Sequence, residues 1–433
     1  MAPTPRDPAI LPTLDDFLPD SLRGTPGFFR TGRARSGQWW LIDPEGRAFI
    51  SKGVAGVNRW GRRDGRQPRP GPYAEAVAKR EEGVYFWAKA EERLRSWFFN
   101  TLGPWAGEGA EDTAFACTEV LELGRCGPQI HAFGARLPDV FDPEWREAAQ
   151  ARAHERCAPW RGRRELIGYF SDDDLGWAQM HEGGAEARPA LLQICLSLEP
   201  SQRAYHAAWE FVLATRRGDL ATLARDWAME LPNKETLRQL TQRDVALTSE
   251  GYRRDQRLFT REFARRYFGT CAAVVRAYDP EHLLLGCRFH GNPGAAVLTE
   301  CVYPLVDVVS VSPVDEAWDK TAQACHAARG MPVLMTGVAW TGEAFLRAPV
   351  PRPPRPATSV ERMLKKGRAA LERLCAQRAV VGYEWTAWAD LVGEQPPFAS
   401  GLVHLDDREA REHTELLAEV NARAEKLRLK TRS

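Results

Sequence analysis

The sequence predicts an α/β protein: a (β/α)8 TIM barrel with an N-terminal β-hairpin extension and long helical insertions. Eight short apolar runs lie along the chain, starting near residues 49, 98, 129, 166, 283, 307, 332 and 379. Most show little polar alternation, as strands buried on both faces do. Helical stretches, or connections long enough for a crossover, separate them, and eight such units close a barrel. The competing fold, an open doubly wound sheet, would carry a Gly-rich phosphate loop after its first strand, and none occurs.

Residues 1–27 are rich in Pro and Asp and are expected to form an irregular leader before one barrel domain at 28–425 and a basic tail at 426–433. In QWWLIDPEGRAFISKGVAGV (38–57) two apolar runs flank Asp43-Pro44-Glu45-Gly46. Pro in the second turn position and Gly in the fourth suit a type I turn, hence a hairpin. Its second arm continues into the first strand, Phe49 to Val57. Residues 59–73 read as a basic loop and 74–97 as helical, ending in FFNTLGPW (98–105). QIHAF (129–133) is the weakest strand candidate and LIGYF (166–170) a strong one, followed by Ser171 and three aspartates. Residues 200–280 read as mostly helical. HLLLGCRF (282–289), DVVSVS (307–312), PVLMTGVAW (332–340) and AVVGYEWTAWAD (379–390) complete the set. A polyproline-type loop, RAPVPRPPRP (347–356), and a helix near 359–377 separate the last two.

Composition narrows the function. The 433 residues carry a net charge of +1, against the basic excess of most nucleic-acid binders. No window nears the roughly 18 apolar residues of a membrane span, and the opening residues lack the pattern of a signal peptide. The nine cysteines are odd in number, scattered and without CxxC, so neither a disulfide framework nor a zinc site is expected. They read as reduced thiols of a cytoplasmic protein. No HExxH occurs, and neither metal nor cofactor is expected.

Barrel active sites gather where strands end. The candidates there are Asn58 and Trp60 after the first strand, Trp105 after the second and His131 on the third. Asp172, Asp174 and Trp177 follow the fourth, Arg288 and His290 end the fifth, Trp340 ends the seventh, and Glu384, Trp385 and Trp388 belong to the eighth. Aromatic faces beside carboxylates suit a saccharide or a sugar-containing small molecule, and a carboxylate pair supplies acid and base for glycoside cleavage. Each residue also has a plainer reading. The aspartates can cap a helix, the tryptophans and His131 can be core, and Arg288 can be a structural ion-pair partner. Glu384, inside the apolar run VVGYEW, needs either a function or an arginine to offset its desolvation.

Taken together, WWLIDPEGRAFISKGVAGV, FFNTLGPW, LPDVFDPEW (137–145), LIGYFSDDDLGWAQ, HLLLGCRF, DVVSVS, PVLMTGVAW and VVGYEWTAWAD resemble the agarase-like glycoside hydrolases, in order from about residue 28 to about 425. The resemblance implies a (β/α)8 barrel and retaining hydrolysis of galactan-type polysaccharides. It also implies an acid/base Glu after the fourth strand and a nucleophilic Glu after the seventh. The first aligns with Asp174, preceded by Asp173 where the family has Asn, and the second aligns with Gly337. Glu343, six residues on, is a poor substitute by register. Glu384 stands where the family usually has His, and Ser312-Pro313 where it tends to have an Asn and an aromatic residue. The leading expectation is a sugar-active enzyme with a remodelled site, built on Asp172, Asp174 and Glu384. The alternatives are a catalytically inactive barrel that binds a glycan or protein partner, and different chemistry on a small metabolite. Oligomeric state stays open.

Overall fold

Eight parallel strands close into one barrel: β1 (Ser51–Val54), β2 (Thr101–Leu102), β3 (Ala116–Val120), β4 (Leu166–Asp173), β5 (Leu283–His290), β6 (Val309–Ser312), β7 (Val333–Val338) and β8 (Val380–Trp385). Neighbours in sequence are neighbours in space, and β8 pairs with β1, so the sheet has no free edge. The coordinates, a computed structural model, describe residues 11–61, 71–81, 86–132, 135–177, 189–303, 305–313, 317–340 and 359–430.

The third barrel strand differs from the expected one. Gln129–Ala132 pairs antiparallel with Ala135–Pro138 in a small separate sheet. The barrel uses Ala116–Val120 instead, joined to Thr101–Leu102 on one side and to β4 on the other. That segment, ACTEV, carries Thr118 toward the barrel interior, where its hydroxyl meets Glu384, and Glu119 outward to Arg156. Its two polar residues disguise a buried strand.

The N-terminal extension is a three-stranded antiparallel sheet (Arg30–Arg33, Trp39–Ile42, Ala48–Phe49). It plugs the barrel at the strands' N-terminal ends. Phe29, Trp39 and Leu41 join Ile167, Phe170, Leu283, Leu285, Val308, Leu334 and Val381 in one buried interior cluster. Asp43 Oδ1 accepts from the backbone N–H groups of Glu45 and Arg47, which fixes the expected turn. Residues 11–27 are irregular but bridge the plug at Thr13–Arg47, Phe17–Ala34 and Arg23–Thr31.

Outside the barrel run α1 (Pro143–Cys157), α2 (Glu250–Tyr278), α3 (Val360–Ala376), α4 (Arg411–Asn421) and α5 (Ala424–Lys430), among others. Asp142 and Ser249 cap α1 and α2 through Glu144 N–H and Tyr252 N–H. The expected helical insertion is present. Four shorter helices between Leu191 and Gln242 lead into α2, which is 29 residues long. Residues 426–430, expected as tail, belong to α5, whose buried Arg428 donates to the carbonyls of Gln377, Trp39 and Arg378. The polyproline-type loop and most of the basic loop lie outside the described residues.

Candidate active site

Three register breaks decide which side chains face the barrel interior. In β5, Gly286 adopts φ +70°, a left-handed conformation that favours glycine. The β4–β5 pairing slips on both sides of it. Leu285 and Arg288 therefore both point inward, while Cys287 between them joins the outer core. In β8, pairing with β7 passes from Val380 to Gly382, and this step turns Val381 and then Glu384 inward. In β4, Phe170 belongs to the interior cluster and Asp172 reaches the tyrosine of an outer helix, which leaves Asp173 facing Arg288.

These inward residues make a charged layer above the apolar interior. Arg288 Nη1 donates to Asp173 Oδ1 at 3.0 Å, and Nη2 lies 3.2 Å from Glu384 Oε2. Glu384 Oε1 accepts from Thr118 Oγ1 at 2.8 Å. The guanidinium carbon sits 4.9 Å from the Trp105 ring centroid and 5.5 Å from that of Phe170. Arg288 and Glu384 are 2% and 0% exposed, so this is an interior ion pair. Burial raises the Glu384 carboxyl above its ordinary range, and the adjacent guanidinium partly opposes that.

Above this layer the strand ends carry partly exposed groups. Asn58 donates to the carbonyls of Gly56 and Trp105 and accepts from Trp60 N–H, tying the ends of β1 and β2 together. Trp60 is 48% exposed, with Arg59 stacked on it. Trp105, Asp173, Asp174, His290, Ser312 and Gly337 are each half-buried. Asp174 adopts φ +27°, a conformation an L-residue rarely takes, and strain of that kind clusters at functional sites. Its N–H bonds the Arg288 carbonyl, and its Oδ1 accepts from Gly176 N–H. Burial, with Asp173 alongside, pushes the Asp174 carboxyl up to about 6.

Several candidates lie elsewhere. Asp172 faces outward and is fully buried. Its Oδ2 accepts from Gly124 N–H at 2.7 Å and from the Tyr267 hydroxyl of α2. Trp177, Trp340, Trp385 and Trp388, expected as sugar platforms, are at most 5% exposed. Trp177 stacks on Phe268, and the other three indoles donate to His413 Nδ1, the Ser400 carbonyl and the Tyr73 hydroxyl. They fill the space outside the strands, where a large flat side chain with one satisfied N–H packs well. His131 is exposed on the separate hairpin, opposite Arg136. Glu343 lies outside the described residues. Of two residues central to the charged layer, Asp173 belongs to the aspartate run that the sequence marks at the end of the fourth strand, although no role of its own was assigned to it, whereas Thr118 carries no motif and was not a candidate.

At Gly337, φ is +63°, and a Cβ added there would stand 3.1 Å from Ser312 Oγ. Ser312 is in turn bonded to the Thr336 hydroxyl at 2.9 Å. Gly337 therefore has neither a side chain nor a backbone that welcomes one. Among the described residues no cluster of His, Cys, Asp and Glu could hold a metal ion, and no helix is long and apolar enough to cross a membrane.

No family model matches the sequence. Two curated proteins of Vibrio sp. (strain JT0107) are similar to it. β-Agarase A is 22% identical over 373 residues, covering 73% of this chain and 37% of the agarase. β-Agarase B is 21% identical over 357 residues, covering 67% and 36%. Among solved structures, an exo-β-agarase superposes with a TM-score of 0.73 at 18% identity, over 94% of this chain and 66% of that one. The agarase AgWH50C gives 0.72 at 20% identity, over 94% and 66%. The protein is agarase-like in sequence and fold. This agarase-like chain spans a little over a third of the length of the two curated relatives.

Proposed function

We propose that this agarase-like barrel binds a saccharide at its mouth and does not hydrolyse it by the two-glutamate route of the family it resembles. One observation carries the reading. Glu384, the inward carboxylate on β8, is held by Arg288 and Thr118, while Gly337 supplies no nucleophile and Asp172 is turned out of the barrel. A carboxylate held between a guanidinium and a threonine hydroxyl is badly placed to take a proton from a ligand, because protonating it removes a counter-charge from the buried Arg288. The partly exposed groups at the strand ends include Trp60, Trp105, Asp173, Asp174 and His290, an aromatic and hydrogen-bonding set that suits a hydroxylated ring. We place this binding in the cytoplasm, a reading supported by nine free cysteines, eight of them buried.

The test is calorimetric titration of the purified protein with agarose-derived and other galactan oligosaccharides, alongside a reducing-end assay. Binding without new reducing ends supports the reading, and sustained turnover overturns it. A second reading, inverting hydrolysis, is favoured by the raised carboxyl of Asp174, which suits a proton donor. It requires turnover that falls as pH rises through about 6 and that Asp174→Asn abolishes.

A further inference from the structure

The charged layer joins side chains from five of the eight strands or their ends: Trp105 after β2, Thr118 on β3, Phe170 and Asp173 on β4, Arg288 on β5 and Glu384 on β8. Its members differ in exposure. Arg288, Glu384, Thr118 and Phe170 are buried, whereas Trp105 and Asp173 are half-buried and reach the mouth. Arg288 touches both of these. It holds Asp173 through Nη1 and stands against the Trp105 ring.

Trp105 itself needs holding. Its backbone is left-handed, with φ +63°, an unusual conformation for a bulky residue. Its carbonyl is tied to Asn58 and its ring meets the guanidinium. A planar cation can contact an aromatic face and give parallel N–H groups to two carboxylates at once, and a lysine ammonium cannot.

We propose that Arg288 is a positioning residue. From the buried pair with Glu384 it sets the Trp105 ring and the Asp173 carboxylate side by side at the mouth, as one contact for a neutral pyranose. The ring would take the apolar C–H face of the sugar, and the carboxylate would accept from an adjacent hydroxyl. Glu384 is thus assigned to hold Arg288 rather than to act on the ligand. This rests on the saccharide-binding reading above, but it also makes a claim about the unliganded protein.

The experiment uses the full chain and has two arms. In the first, the indole N–H resonance of Trp105 is identified by its loss in Trp105→Phe and followed in Arg288→Lys without ligand. The expected result is a shifted or broadened resonance, with the other indole signals and the thermal midpoint nearly unchanged. An unmoved resonance overturns the proposal. Should Arg288→Lys not fold, Glu384→Gln, which keeps the shape and weakens the grip on Arg288, takes its place under the same criterion. In the second arm, oligosaccharide titration is expected to show affinity falling at least tenfold in Arg288→Lys, Trp105→Ala and Asp173→Ala alike. Wild-type affinity in Arg288→Lys overturns the positioning role. No binding by the wild type overturns the saccharide reading alone, since the first arm is judged without ligand.

Discussion

Arg288 and Glu384 face each other across the inside of the barrel, Nη2 to Oε2 at 3.2 Å, with both side chains almost wholly removed from solvent. Desolvation of two such charges costs as much as their attraction returns, so the pair is a poor source of stability but a costly thing to break. Glu384→Ala should destabilise the protein by about 3 kcal/mol in urea unfolding, because Arg288 keeps its charge inside the barrel and loses the fully buried one of its two carboxylate partners, with half-buried Asp173 left to pair it. The double variant Arg288→Met/Glu384→Leu should lose clearly less. Equal losses would show that the two charges do not compensate each other.

Stability should also depend on pH through Asp172. Burial lifts this carboxyl to about 7 from an ordinary value of 3.8, although the Tyr267 hydroxyl and Gly124 N–H bonds work against it. Between about pH 4 and pH 7 the folded protein therefore retains a proton that the unfolded chain has released. This contribution is complete below about pH 4 and is lost as pH rises through about 7. Replacing Asp172 by Asn should flatten the stability profile in that window, by up to about 4 kcal/mol. A wild-type curve rising with pH there, relative to the variant, would contradict the sign.

At Gly337 the backbone itself resists substitution. Gly337→Ala should cost about 1–2 kcal/mol for the left-handed conformation alone, and crowding against Ser312 Oγ adds to it. Gly337→Glu should yield no hydrolysis of aryl galactosides, since the new carboxylate would start from a strained backbone beside Ser312. Release of nitrophenol by that variant would show that the scaffold still accepts a nucleophile there.

The cysteines give an independent check on burial. Burial pushes the thiols of Cys117, Cys157, Cys325 and Cys375 up to about 12, and those of Cys195, Cys271 and Cys287 well above the ordinary range. Cys126 is the one thiol that is not fully buried, and its Sγ contacts the Leu123 carbonyl. In the native protein a thiol reagent should modify at most one cysteine quickly, and after denaturation all nine. Rapid reaction of three or more would mean that the helical layer opens readily.

Most of the barrel was legible in the chain because β4, β5, β7 and β8 are nearly continuous apolar runs, which only a doubly covered sheet requires. β3 was not, since Thr118 faces a polar interior and Glu119 an outer arginine, and a pattern rule reads both as surface. The site was harder to read. Which of Asp172, Asp173 and Asp174 enters the barrel depends on one local break in alternation within β4, and no motif encodes it. Nor does the sequence separate an indole that stacks on a ligand from one that fills the gap beneath a helix. Trp105 and Trp177 follow similar apolar runs and end in opposite environments. The pairing of Glu384 with an arginine was foreseeable as an alternative, because an unmatched carboxylate in VVGYEW would be too costly to bury.

Both described ends of the chain meet at the plugged end of the barrel. The plug carries Trp39, and Arg428 of α5 donates to the Trp39 carbonyl beside the start of β8. Leu11 and Leu429, close to the two described ends, pack against one cluster with Phe17, Trp40 and Ile42. The first and last described segments of the chain therefore brace the same plug, and loosening either one exposes apolar surface of the other.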